Sequence, residues 1–234
     1  MRRFMMGVGA FWAATAGWSA ESGANAKPAA WRLDFENYVP GQAPREWTFN
    51  WGSQGDDLIT VTSDHASGGK QALLFDRPES PDAKGQWGAA VSLPGFRDGQ
   101  GTLSWDFLFF GAGGDARFSF EIRNRSAKRI VRLGVEFQRA SFGEFWGEAK
   151  KAAVRPGVWY RMEATVDAGG GAAARSVRLR LRERGADACL LDEAAAGEKA
   201  APLEKAAGIC LCFGQTAGPF RLYVDSVEML SAAP

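Results

Sequence analysis

The residues able to do chemistry are mostly carboxylates, and several gather at the two ends of the chain. Trp31-Arg-Leu-Asp-Phe-Glu36 stands near the start, and Phe220-Arg-Leu-Tyr-Val-Asp225-Ser-Val-Glu-Met-Leu230 near the finish. Both segments alternate apolar and polar residues, so both read as short strands. Paired antiparallel, they close a β-sandwich and bring Asp34, Glu36 and Asp225 to one seam, where carboxylate oxygens suggest a metal site. Alternation puts Asp34 and Glu36 on one face, with Phe35 directed to the core, and puts Asp225 and Glu228 on opposite faces. A further pair, Glu144 and Glu148, lies four residues apart. Along a strand that is about 13 Å, beyond the roughly 5–9 Å that glycoside hydrolysis requires of its two carboxyls. The one histidine, His65, lies in Thr62-Ser-Asp-His-Ala-Ser-Gly-Gly69 and reads as a solvent-exposed turn residue. A single histidine makes a serine triad hard to build. The glycine clusters sit in hairpins and not ahead of helices, so no phosphate cradle is expected.

Aromatics supply the other candidate chemistry, which is binding. Ser141-Phe-Gly-Glu-Phe-Trp-Gly147 reads as a loop carrying three rings among glycines. Exposed rings are costly without a use, and flat rings stack on the apolar faces of sugars. Phe142, Phe145 and Trp146 are therefore candidate ligand contacts; the alternative is that Phe142 and Trp146 fold down as a plug over one sandwich edge. Trp87 and Trp51 follow them, whereas Trp105 and Trp159 read as core or inter-sheet residues. The polar sides of the central strands present Asp106, Arg117, Glu121, Arg123, Arg132, Glu136 and Gln138. Were those strands neighbours, they would form a charged surface suited to hydroxyls or uronates, with Arg123, Arg132 and Glu136 as leading contacts. The plain alternative is a solvated face.

These residues must be positioned by strands, because period-two alternation dominates the chain. It runs through Leu103–Phe109, Phe118–Ile122, Val131–Phe137, Tyr160–Val166 and Val177–Leu181. One apolar and one polar side per strand is the pattern of antiparallel sheets wetted on one face. Weaker strands are expected near 57–62, 71–76, 86–93 and 208–213. Gly111-Ala-Gly-Gly-Asp115, Arg155-Pro-Gly157 and Asp167-Ala-Gly-Gly-Gly171 supply turns. About a dozen short strands imply an all-β fold of two antiparallel sheets packed face to face. The Ala/Glu/Lys-rich stretch between Asp192 and Ala207 has helix-forming composition, but Gly197 and Pro202 interrupt it, so a surface loop with one turn at most is expected.

Length and composition bound the rest. The chain has 234 residues, 28 of them basic and 27 acidic. That balance gives no electrostatic reason to expect nucleic acid or an anionic membrane as partner. Arg2 and Arg3 precede an apolar run from Phe4 to Gly17, about half the length of a membrane span. Ala24-Asn25-Ala26 then forms a small-x-small cleavage site. Residues 1–26 thus read as a signal peptide, with a short membrane anchor as the alternative, and residues 27–234 as one domain, secreted or periplasmic. No span is expected in the mature chain. Cys189, Cys210 and Cys212 cannot all pair within one molecule. Cys189 with one of the others is one reading, and small apolar strand residues is the other.

Asp34-Phe-Glu36 with the following Pro40-Gly41 and Trp47, the central aromatic strands, Val154-Arg-Pro-Gly-Val-Trp-Tyr-Arg-Met-Glu-Ala-Thr-Val-Asp167 and the closing Tyr223-Val-Asp225-Ser-Val carry a family likeness. Over roughly residues 31–230 the chain resembles the concanavalin A-like lectin/glucanase jelly rolls, including laminin-G-like domains and bacterial carbohydrate-binding modules. The resemblance implies a two-sheet antiparallel jelly roll with carbohydrate or polysaccharide as partner. It also implies a structural calcium held by Glu36 and Asp225 with Asp34 nearby; hydrogen bonds to loop amides or arginines are the alternative for these carboxylates. The catalytic Glu-x-Asp-x-x-Glu of the laminarinase-like glycosidases is absent, so non-catalytic binding is expected, with a hydrolase or lyase, or an adhesion module binding protein, as rivals.

Overall fold

The computed structural model describes residues 30–45, 48–51, 59–77, 87–92, 101–110, 117–124, 129–136, 141–142, 150–151, 154–167, 176–196, 206–213 and 220–231. In chain order the strands are β1 (Ala30–Leu33), β2 (Thr48–Trp51), β3 (Ile59–Thr62), β4 (Ala72–Arg77), β5 (Trp87–Ser92), β6 (Gly101–Phe110), β7 (Arg117–Asn124) and β8 (Arg129–Glu136). They continue with β9 (Ser141–Phe142), β10 (Lys150–Lys151), β11 (Tyr160–Asp167), β12 (Ser176–Glu183), β13 (Cys189–Ala196), β14 (Ala206–Phe213) and β15 (Phe220–Ser231). An eight-stranded sheet has the order β13-β12-β11-β6-β15-β4-β3, with β1 also on β15; a seven-stranded sheet has the order β10-β9-β8-β7-β14-β5-β2. The molecule is an all-β, two-sheet antiparallel jelly-roll sandwich. Among the described residues no helix is long and apolar enough to cross a membrane.

Alternation does most of the folding work, as expected. In the eight-stranded sheet the register aligns Leu103 with Ala164 and Met229, Trp105 with Met162, and Phe107 with Tyr160 and Val224. All of these side chains are buried. Phe107 and Tyr160 stack with ring centroids 5.5 Å apart. Each large side chain removed from water contributes about 1.5–3 kcal/mol. Trp105 is a core residue, as its alternation requires. Trp159 is only partly buried, and it packs with Phe110 against a separate small cluster of Leu74, Leu108 and Tyr223. By alternation that cluster lies on the other side of the sheet from Trp105, so Trp159 is not an inter-sheet residue.

The two ends do pair. β1 runs antiparallel to β15, with Ala30 opposite Leu230 and Leu33 opposite Val227. β4 pairs with β15 over Phe220–Val224, so β1 and β4 share one long edge of β15. Three expectations need correction. First, β1 stops at Leu33, and Phe35 takes φ of +61°, the left-handed region that a bulky residue adopts only under tertiary constraint. Phe35 is fully buried, but a turn puts it there, so Asp34 and Glu36 do not share a strand face. Second, Ser226 has φ of +49° and the β15–β6 register slips between Asp225 and Glu228. This bulge inserts one residue, reverses the alternation, and puts Asp225 and Glu228 on the same face. Third, residues 192–196 are not a loop, because β13 continues to Ala196 along the free edge of β12. Backbone pairing there overrides weak strand propensity.

Candidate functional site

The turn after β1 and the β3–β4 loop (63–71) meet at the seam. Glu36 Oε1 accepts from the backbone amides of Lys70 at 2.8 Å and Gln71 at 2.9 Å. Asp225 Oδ2 accepts from the amides of Ser67 at 2.8 Å and Gly68 at 3.0 Å, and from Ser67 Oγ at 2.9 Å. Its Oδ1 accepts from the Ser226 amide at 2.6 Å. The two carboxylates therefore grip opposite ends of one five-residue segment. Asp34 does something else: its Oδ1 accepts from the Glu36 amide at 3.3 Å, while Oδ2 lies 3.8 Å from Arg32 Nε. This donor set does not fit calcium. Glu36 Oε1, Asp34 Oδ1 and both Asp225 oxygens already serve amide hydrogens, and among the described residues no group of three or more His, Cys, Asp or Glu is arranged to hold a metal ion.

Beside the seam lies a buried charge cluster. The register makes Asp106 of β6 and Asp225 of β15 direct cross-strand partners, and both are fully buried. Like charges so placed repel. Ser67 Oγ is positioned between them, 2.7 Å from Asp106 Oδ2 and 2.9 Å from Asp225 Oδ2. Arg161 Nη1 donates to Asp106 Oδ1 at 3.0 Å, and Arg184 Nη1 donates to Asp106 Oδ2. Arg161 Nη2 donates to Glu228 Oε2 and to Ser104 Oγ, each at 2.7 Å. Burial works against the Arg161 charge, but Asp106 and Glu228 more than offset it and hold its pKa above the ordinary value. Burial also pushes the Asp225 carboxyl up, against the amide hydrogen bonds that pull it down. The β3–β4 loop lies over this buried pair, and the bonds from Ser67 and Gly68 fasten that loop to the sheet.

The same outer face carries the pairing outward. Arg182 Nη2 donates to Glu163 Oε1 at 3.0 Å, Arg178 grips Asp192 through bonds of 2.6 and 2.7 Å, and Arg221 Nε donates to Asp76 Oδ1 at 3.2 Å. His65 is exposed, as expected of a turn residue. Its ring nonetheless meets Tyr223 edge-on at 4.8 Å and Phe110 at 5.1 Å, which seats the loop on the apolar cluster. Cys189 is a free, exposed thiol, not the buried apolar residue expected.

The seven-stranded sheet arranges the remaining candidates by register. Asp106 belongs to the other sheet, so it does not join Arg117, Glu121, Arg123, Arg132 and Glu136. Those five do come together on β7 and β8: Arg117 is opposite Glu136, Glu121 opposite Arg132, and Arg123 opposite Arg129. The adjoining rows of β14 and β5 are small: Cys210 and Ala90 continue from Glu121, and Cys212 and Gly88 continue from Ser119. Trp51 is paired with Gly88 at the end of that row. Phe142 is on β9 and not in a loop; with Trp87 it falls in the alternate row, alongside Val135, Phe118 and Phe213. Phe145, Trp146 and Gln138 lie outside the described residues.

No protein-family model and no curated protein sequence matches this chain. Solved structures match across most of its length. Arcelin-5, a lectin-like defense protein from Phaseolus vulgaris, superposes with TM-score 0.56 at 10% identity, over 89% of this chain and 100% of that one. A lectin UEA-II complexed with galactose gives TM-score 0.55 at 13% identity, over 88% and 99%. The chain has the lectin-like jelly-roll fold. An endo-β-1,4-glucuronan lyase from the fungus Trichoderma reesei shares it, with TM-score 0.53 at 10% identity over 86% of this jelly roll and 95% of that chain. One fold thus serves binding and cleavage, and function has to be argued from the site.

Proposed function

We propose that this jelly roll is an exported carbohydrate-binding module that takes polysaccharide on the polar face of its seven-stranded sheet and does not cleave it. The observation that carries the reading is the β7–β8 register. Just past a register shift Arg123 is paired with Arg129; Arg132 is paired with Glu121 in the next row of that face, and Arg117 with Glu136 two rows further on. Two arginines directly opposed are unfavourable unless an anion or several hydroxyls lie between them. The rows beside them carry small residues on β14 and β5, with Trp51 at the end of one of them. Phe145 and Trp146, which follow β9 in the sequence, are the stacking candidates of the reading. The leader-like residues 1–26 and the fold's lectin relatives support export. The test is an array of neutral and acidic polysaccharides, with analysis of reducing ends and unsaturated products on every hit. Binding without new products is expected. A glycan-free array overturns the reading, and turnover of a bound glycan replaces it with a hydrolase or lyase.

A further inference from the structure

A second concavity lies away from that sheet, between β1 and the turn that follows it. It is a cleft of about 530 Å³ lined by Arg32, Leu33, Asp34, Asn37, Tyr38, Val39, Gln42, Ala43 and Arg45. Its far wall is rigid. Val39-Pro-Gly-Gln42 forms a β-turn in which the Gln42 amide donates to the Val39 carbonyl at 3.2 Å, with Gly41 at φ of +82°. Proline second and glycine third is the signature of a type II turn. The Gly41 amide donates to the Val61 carbonyl at 2.7 Å, and the Val61 amide to the Gln42 carbonyl at 2.9 Å, so the turn is bolted to β3.

Several polar groups of the lining have no partner among the described residues. Arg45 is exposed, and among the described residues its guanidinium makes no ion pair. Arg32 is shared loosely, with its Nε 3.8 Å from Asp34 and 3.6 Å from Glu228. The side-chain amides of Asn37 and Gln42 have no hydrogen-bond partners among the described residues. Val39 is 57% exposed, one of few large apolar side chains so placed. A guanidinium with no ion pair among the described residues, sharing one cleft with two side-chain amides and an exposed valine, suits a ring with hydroxyls on its edges, an apolar face and a carboxylate. We propose that this cleft is a subsite for a uronate residue, with Arg45 holding the carboxylate as a charge-assisted pair, Asn37 and Gln42 bonding the hydroxyls, and Val39 covering the apolar face. The inference rests on the reading of this protein as a glycan binder, but it assigns a different surface.

The experiment is calorimetric titration of the mature protein with a β-1,4-linked glucuronate tetrasaccharide and with its carboxyl-reduced counterpart. It is run on wild type, Arg45→Ala, Asn37→Ala and, as the control for the sheet face, Arg132→Ala. The uronate is expected to bind the wild type, to weaken about tenfold or more in Arg45→Ala, and to weaken with added salt. The carboxyl-reduced sugar should be indifferent to Arg45→Ala. Equal affinity for the two sugars, or unchanged uronate binding in Arg45→Ala, overturns the cleft assignment. Loss in Arg132→Ala alone overturns the cleft and leaves the sheet face standing, whereas loss in Arg45→Ala alone does the reverse.

Discussion

The outer faces of the two sheets carry similar residues in different registers, and on the reading proposed above they serve different ends. On the eight-stranded sheet, arginines and carboxylates alternate across neighbouring strands and bond one another. Arg161 joins Asp106 to Glu228, Arg182 joins Glu163, and Arg178 joins Asp192. A loop then roofs the most buried pair. On the seven-stranded sheet the register opposes Arg123 to Arg129 and borders the charged rows with small residues. The first face pairs its polar groups internally, whereas the register of the second sets two arginines, Arg123 and Arg129, opposite one another. A charged strand face is therefore not one kind of object. On the reading proposed above, cross-strand register decides whether it is a fastening or a landing surface.

The contrast is broken most severely at the buried pair. Asp106→Ala strips Arg161 and Arg184 of their shared partner, and removing one member of a buried ion network costs about 3–5 kcal/mol. Denaturant unfolding should show that loss; a change below 1 kcal/mol, on the order of a surface pair, would mean the face is not sealed. Next comes Gly69→Ala. Gly69 has φ of +74°, and an added Cβ would lie 2.7 Å from Glu36 Cδ. Strain at such a position costs about 1–3 kcal/mol, and the same change at Gly41, whose added Cβ would meet nothing within 4 Å, should cost less.

Asp225 sharpens the comparison through pH. Burial raises its carboxyl above the ordinary 3.8, so over the window just above that value the folded chain holds a proton that the unfolded chain has released. Its contribution to stability is full below 3.8 and is lost as pH rises through the raised value. Unfolding free energy measured across this window should fall less steeply in Asp225→Asn than in the wild type; identical slopes would remove Asp225 from the account. Chelation is the smallest expected effect. Because Glu36 and Asp225 serve loop amides, excess chelator should leave the melting temperature unchanged. A drop would reveal a cation bound by the folded state and return calcium to the seam.

The sandwich was legible because alternation is a local signal that survives any topology. The pairing of β1 with β15 was legible for the same reason, since both ends announce a strand. The site was less so. Asp106 looks like the residues of β7 and β8 in alternation, yet the chain crosses to the other sheet after Phe110, and alternation does not encode which strands become neighbours. The Ser226 bulge carries no glycine to mark it, so the shared face of Asp225 and Glu228 could not be read. Phe35 reached the core by a left-handed turn where a strand was expected. Ser67, which joins the two buried aspartates, is one of many serines until the β3–β4 loop is folded over them. What marks it is only the Ser-Gly-Gly run that lets a loop lie flat on a sheet.

The central claim is that the arginine-rich face of the seven-stranded sheet binds glycan while the other face holds the fold together. Parallel titrations of wild type and Arg132→Ala with the best-bound polysaccharide, each paired with a melting curve, test it most directly. The account predicts that Arg132→Ala keeps the wild-type melting temperature and loses most of the binding. Binding unchanged in Arg132→Ala, or lost only together with the fold, would contradict it.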